Sequence, residues 1–296
     1  MKRILLLFFA ICFVFVSNSQ LVTNTNINRT KGTLNKENLD NAVIRCLYER
    51  KQLFINSGNR EYAIDTLTLK LGKRYSLFYD ENKIYRDSLF TAFGRSFMPE
   101  LKVINANTKA DIFQDLRAQG GRYIEKNAAG ESVRLYKDRK NKTIISIDYE
   151  GVLYAFKLTE NLPPQQWKIA NDTLTVMGYL CQKAVSTFRG RNYIAWFTSE
   201  IPVNDGPWKL YGLPGLILKA YTEDEVFMFE AIGIEKLINP VKITMDKDEY
   251  IRCNRKEMEK VHLKNKTSSR LSYFKDGIAY VGSRIEPWVF EPMELE

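Results

Sequence analysis

Residues 196–221 read WFTSEIPVNDGPWKLYGLPGLILKAY. Two turn signals lie here between two strand-like runs. Asp205-Gly206-Pro207 is the first. Pro214-Gly215 is the second, and it suits the two central positions of a type II turn: Pro presets the first φ, and Gly accepts a positive second φ. Runs joined by such short turns pair antiparallel, because parallel neighbours need a long crossover.

The same alternation of runs and turns extends in both directions. Downstream, Leu216 to Tyr221 and Glu225 to Ile234 read as a hairpin around Thr222-Glu223-Asp224. Upstream, strands are expected near 173–177, 180–188 and 192–198, with Gly190 in the last turn. Ser132 to Tyr136, Thr143 to Tyr149 and Val152 to Leu158 form a meander broken by the polar turn 137–142 and by Glu150-Gly151. Val43 to Ile55 has strand character. Leu67, Leu69 and Leu71 alternate with Thr68 and Lys70, as in a half-buried strand, and Tyr75 to Tyr79 continues the style. Strands resume at Leu271–Phe274 and Ile278–Val281.

Helices are fewer. Residues 82–95 are ambiguous, with Ile84, Leu89 and Phe93 able to line one helical face. Residues 108–118 read as a short helix, capped by Thr108 and stopped by Gly120-Gly121. Residues 246–265, where Met258 and Val261 lie among many charges, read as a surface helix. The expected fold is mainly β (α+β): an antiparallel, strongly curved sheet or half-barrel with a few peripheral helices. It forms a single domain over 42–296, whose extension at 241–296 is the least determined part. Residues 20–41 are rich in Asn, Thr and Lys and read as a loose N-terminal segment.

The first 19 residues read as a signal peptide. Lys2 and Arg3 precede an apolar run from Ile4 to Val16, and Ser17-Asn18-Ser19 offers small residues for cleavage. The run is short of the roughly 20 residues a spanning helix needs. Cleavage near Gln20 would leave no transmembrane segment. The expected location is the periplasm, the outer membrane or the cell exterior.

Lys and Arg number 44 against 35 Asp and Glu, a formal charge of +9. The basic residues are scattered and no nucleic-acid-binding motif surrounds them, so no nucleic-acid partner is expected. Cys46, Cys181 and Cys253 remain after cleavage. Two of them could pair in an oxidising compartment, and spacing does not choose which. No Cys-x-x-Cys occurs, and no metal or other cofactor is expected.

His262 is the only histidine. It falls in the charged 246–265 segment and reads as a solvated helix residue, not as a member of a nucleophilic triad. Asp205, Glu200 and Glu223–Glu225 are candidates for a carboxylate-only site, although acids in turns usually serve the turn. No catalytic residue is assigned. Trp196, Phe197, Trp208 and Tyr211 cluster around the two turns. They line an apolar groove or a partner surface, or else they fill the core. Gly212, Leu213, Pro214 and Gly215 read as a structural turn.

Residues 178–219 resemble the GLPGLI family of exported Bacteroidetes proteins. The name-giving motif stands as Gly212-Leu213-Pro214-Gly215-Leu216-Ile217. Its flanks match in Gly178-Tyr179, Cys181, Ala184, Gly190-Arg191, Tyr193, Ala195-Trp196-Phe197-Thr198, Ile201-Pro202 and Gly206-Pro207-Trp208. The resemblance implies export from a Gram-negative cell, and it brings no catalytic residue. The expected function is non-catalytic binding of an apolar ligand or of a protein partner such as an outer-membrane protein. The alternative is a carboxylate-dependent hydrolase.

Overall fold

Hairpins generate most of the sheet. The computed structural model describes residues 36–85, 102–105, 122–126, 130–150, 154–247, 250–275, 278–285 and 288–295. Strand β1 (Lys36–Asn56) turns into β2 (Asn59–Leu71) through Ser57-Gly58, and β3 (Tyr75–Tyr79) follows. Short strands β4 (Lys102–Asn105) and β5 (Arg122–Lys126) come next. The meander is β6 (Arg134–Asp138), β7 (Thr143–Glu150) and β8 (Tyr154–Asn161). Then come β9 (Lys168–Val176), β10 (Tyr179–Phe188), β11 (Arg191–Thr198), β12 (Leu216–Thr222) and β13 (Phe227–Asp246). The chain closes with β14 (Ile251–Arg252), helix α1 (Arg255–Thr267), β15 (Ser268–Lys275), β16 (Ile278–Ile285) and β17 (Trp288–Phe290).

Three hairpins share one turn chemistry. Ser57-Gly58, Met177-Gly178 and Arg189-Gly190 each place both residues at positive φ, between +51° and +85°. Such two-residue turns match the twist of the strands they join, and Gly carries the second position without strain.

The large sheet has 13 strands in the order β14-β8-β7-β6-β3-β2-β1-β13-β12-β11-β10-β9, with β17 added on β1. It is not closed into a barrel. Its pairings are antiparallel except β14 on β8, which is parallel. A second, four-stranded sheet has the order β4-β16-β15-β5. Both the antiparallel β-rich class and the presence of few helices agree with the sequence reading.

The spine is β1, 21 residues long, flanked by β2 and by the 20-residue β13. Ala42 pairs with Val241 and Ile44 with Lys236, so Leu237–Pro240 bulge out opposite Val43. Pro240 cannot donate to a ladder, and the bulge accommodates it. The sheet carries apolar clusters on two faces. Phe78 joins one with Tyr48, Leu69, Tyr193, Phe197 and Phe229, while Leu77 and Tyr79 join the other with Tyr136, Ile147 and Ile243. Alternation along β3 divides its residues between them.

Several boundaries differ from expectation. Strand β1 begins at Lys36, inside the segment expected to be loose, because β13 continues to Asp246 and supplies its partner. The 246–265 segment splits into β14 and α1, and α1 is a surface helix that buries Met258 and Val261 along with Lys266. Asn254 caps it. Its side chain accepts from the Glu257 amide at 3.0 Å, and Glu257 accepts from the Asn254 amide at 2.8 Å. Residues 81–85 are helical, while the remainder of 82–95, the 108–118 helix and the signal-peptide reading lie outside the described residues. Among the described residues no helix is long and apolar enough to cross a membrane.

Candidate functional site

The motif loop, residues 199–215, joins β11 to β12 and folds over their ends. A Cβ on Gly215 would lie 2.1 Å from the Thr198 carbonyl oxygen. Gly215 is therefore required by close backbone approach. Its φ is not positive, so Pro214-Gly215 is not the type II turn expected from the sequence. The positive φ of the motif, +111°, falls on Gly212, where a Cβ would also meet Pro164 Cβ at 2.8 Å. Leu213 is buried between them.

Phe197, Trp208 and Tyr211 are buried. The Trp208 ring stacks on Tyr193 at 6.2 Å and meets Phe188 edge-on at 5.8 Å. The Tyr211 hydroxyl donates to the Leu162 carbonyl, and its amide donates to Gln165 Oε1 at 2.8 Å. Trp196 is half-buried, packs against the same apolar cluster and lies under the Lys183 ammonium at 5.9 Å. Three of the four aromatics are thus buried in one core cluster and the fourth packs against it.

Asp205 is fully buried. It pairs with Lys137, and with Arg139 at 2.8 Å; Lys137 also donates to the Gly206 carbonyl at 2.7 Å. Burial pushes the Asp205 carboxyl up, but Lys137 and Arg139 outweigh it and hold the group below its ordinary value. This acid locks the motif loop onto β6. Glu160 does similar work farther along, binding Arg189 at 2.9 Å, Lys209 at 2.7 Å and Arg255 at 3.1 Å. The other acids near the motif stay apart. Glu200 is exposed and accepts from the Leu180 amide, Asp224 pairs with Arg191 at 2.6 Å, and Glu223 accepts from Asn192.

The structure assembles a different ionic centre, around His262. Its side chain is only 26% exposed, so it is not the solvated residue expected. Nδ1 lies 3.2 Å from Glu131, 3.6 Å from Asp148 and 3.5 Å from the Ser132 hydroxyl. Arg50, fully buried on β1, pairs with both Glu131 and Asp65. Lys266, one turn beyond His262, donates to Gln52, and Asn265 donates to Asp148 at 2.9 Å. The sequence held one usable signal. Met258, Val261, His262, Asn265 and Lys266 follow the spacing of a single helical face.

Ser132, His262 and Asp148 are the residue types of a nucleophilic triad, but the geometry differs. A triad histidine uses one ring nitrogen for the serine and the other for the carboxylate. Here both groups meet Nδ1, and Ser132 donates directly to Asp148 at 3.1 Å. Burial pushes the Glu131 carboxyl up, yet His262, Arg50 and Lys266 pull it well below the ordinary range. A carboxylate so firmly ionised is unsuited to act as a general acid. Burial, reinforced by Arg50, pushes the Lys266 amine down to about 8. The centre is a set of mutually compensating charges joining β1, β2, β7 and α1.

The three cysteines stand as free thiols. Three strands separate β1, bearing Cys46, from β10, bearing Cys181, while Cys253 lies beyond β14 at the opposite end. Burial pushes their thiols up to about 12, 11 and 11 respectively, away from the nucleophilic thiolate form. Among the described residues no group of three His, Cys, Asp or Glu could hold a metal ion.

A family model described as a protein of unknown function (Porph_ging) matches residues 189–219. The match runs from the β10–β11 turn through the motif loop onto β12. No curated protein matches the chain. Among solved structures, PNGF-II in two crystal forms aligns with TM-scores of 0.44 and 0.43 at 15% identity. The alignments cover 78% of this chain and 35% of that one. Likeness at that level assigns no activity.

Proposed function

We propose that this chain is an exported, non-catalytic envelope protein that binds a protein partner or an apolar ligand at the open β9 edge of its sheet. One observation carries the reading. Ile169 and Leu174 pair across β9–β10 with Ala184 and Cys181, both fully buried, yet are themselves 50% and 37% exposed. Apolar surface that is covered on β10 thus runs out to solvent on β9. Met177 is exposed in the adjoining turn, and Leu180 is exposed on the opposite face of the hairpin. Exposed apolar surface of this kind marks an interaction site.

The backbone ladder of β9 is less inviting. Lys168, Asp172 and the register shift between Gln182 and Ala184 blunt it against strand addition. Contact through side chains fits better. Cleavage of residues 1–19, origin in a Bacteroidetes cell and an outer-membrane protein as partner belong to the same proposal. So does a strongly curved, half-barrel sheet, which would gather the apolar residues of β9 to β12 around one concave surface.

Native mass spectrometry of the mature protein from its own envelope, followed by denaturing extraction, tests the reading. A defined apolar molecule or membrane protein should accompany the wild type and be lost from the Ile169→Lys/Leu174→Lys variant. Both proteins running at their bare masses would sink it. A carboxylate-dependent hydrolase is the second reading, supported by the convergence of Glu131 and Asp148 on His262. It requires a turnover activity that Glu131→Gln abolishes while the fold survives.

A further inference from the structure

A second site lies at the opposite end of the sheet. Lys157, Thr159, Tyr250, Arg252 and Cys253 line a cavity of about 630 Å³ where β14 meets β8. The volume is in the range of small-molecule pockets. Arg252 is the register partner of Lys157 in the parallel pair, so two cations stand side by side. Like charges directly across a ladder are unfavourable unless something compensates them. Several cations elsewhere in the protein are compensated by acids. Arg50, Arg74, Lys137, Arg139, Arg191 and Lys209 all have carboxylate partners. Among the described residues, Lys157 and Arg252 have none.

The surroundings fix the pair in place. The Cys253 amide donates to the Lys157 carbonyl at 3.2 Å, prolonging the ladder. The Lys157 ammonium lies 5.2 Å from the centre of the Tyr250 ring, whose hydroxyl donates to the Asp246 carbonyl at 2.6 Å. Helix α1 starts two residues after Cys253. The nearby acid, Glu257, is engaged in capping that helix and forms no ion pair with either cation. Thr159, two residues along β8 from Lys157, adds a hydroxyl.

We propose that this pocket binds an organic oxyanion, a phosphate or sulfate monoester. The planar Arg252 fork would grip two oxygens while the Lys157 ammonium neutralises the remaining charge. The organic part would border the Tyr250 ring. This site is independent of the β9 edge.

Calorimetric titration of the purified chain with phenyl phosphate, phenyl sulfate and inorganic phosphate tests it. Saturable binding is expected, tightest for the aryl esters. Comparing the two esters separates a phosphate from a sulfate ligand. Arg252→Gln and Lys157→Gln should each weaken binding about tenfold or more, the equivalent of one good charged contact. Arg252→Lys should fall between. Lys219→Gln on β12, whose side chain already pairs with Glu230 at 2.8 Å, should bind as wild type. Melting curves that match the wild type confirm that the variants fold. Absence of saturable binding, or wild-type binding by both Gln variants, would overturn the proposal.

Discussion

A methyl group on Gly215 would sit 2.1 Å from the Thr198 carbonyl oxygen, well inside contact distance. Gly178 makes a control, with φ +84° but nothing within 4 Å of its missing Cβ. Gly178→Ala should therefore cost about 1 kcal/mol from strain alone. Gly215→Ala should cost about 3 kcal/mol or more, because the backbones must separate. Denaturant melts compare the two, and equal losses would contradict the contact. The Pro-Gly pair marked a bend in the sequence, but the carbonyl that excludes a side chain lies 17 positions earlier and across a hairpin. Glu131 sets a second expectation at this scale. Its folded value lies below the ordinary 4.5, so the unfolded chain binds more protons in acid. Its contribution is complete above about pH 4.5 and disappears as pH falls. Stability of Glu131→Gln, followed by thermal melting from neutral pH into acid, should fall less steeply than that of the wild type. The surroundings of His262 are not legible locally because its partners are distant in sequence: Glu131 and Asp148 precede it by more than 100 residues.

Strands were legible wherever pairing is local. β6 to β8 and β10 to β12 follow runs that alternate and turns that carry Gly or polar residues. The far half of β13 was not, since Pro240 argues against a ladder and only the bulge opposite Val43 admits it. β14 pairs with a strand nearly 100 residues away, which no local pattern announces. The motif loop depends on the buried Asp205 group in the same non-local way. Asp205→Asn would leave Lys137 buried beside a neutral amide and should cost about 3–5 kcal/mol. Adding Lys137→Met should restore a good part of that loss, because the orphaned charge is gone. Chemical denaturation of the single and double variants measures it. A double variant less stable than the single one would show that the pair acts otherwise.

At the scale of the molecule, the sheet order places long strands in the middle and leaves β9 at one end. Hydrogen exchange should follow that order. Amides near Tyr48 and Phe229 should be the slowest, and those of β9 among the fastest of the paired strands. Protection of β9 equal to that of β1 in the isolated chain would contradict an open edge. The hairpin sequence was readable in advance, but the closure of β1 against β13 was not, because those strands are about 200 residues apart. Site-specific photo-crosslinking in the native envelope tests the central claim most directly. A photoreactive residue at position 174, on the β9 edge, is predicted to give one discrete adduct with a protein or lipid. The same residue at position 263, an exposed apolar site on α1, is predicted to give none. Absence of an adduct at 174, or the same adducts from both positions, would contradict a binding surface at that edge.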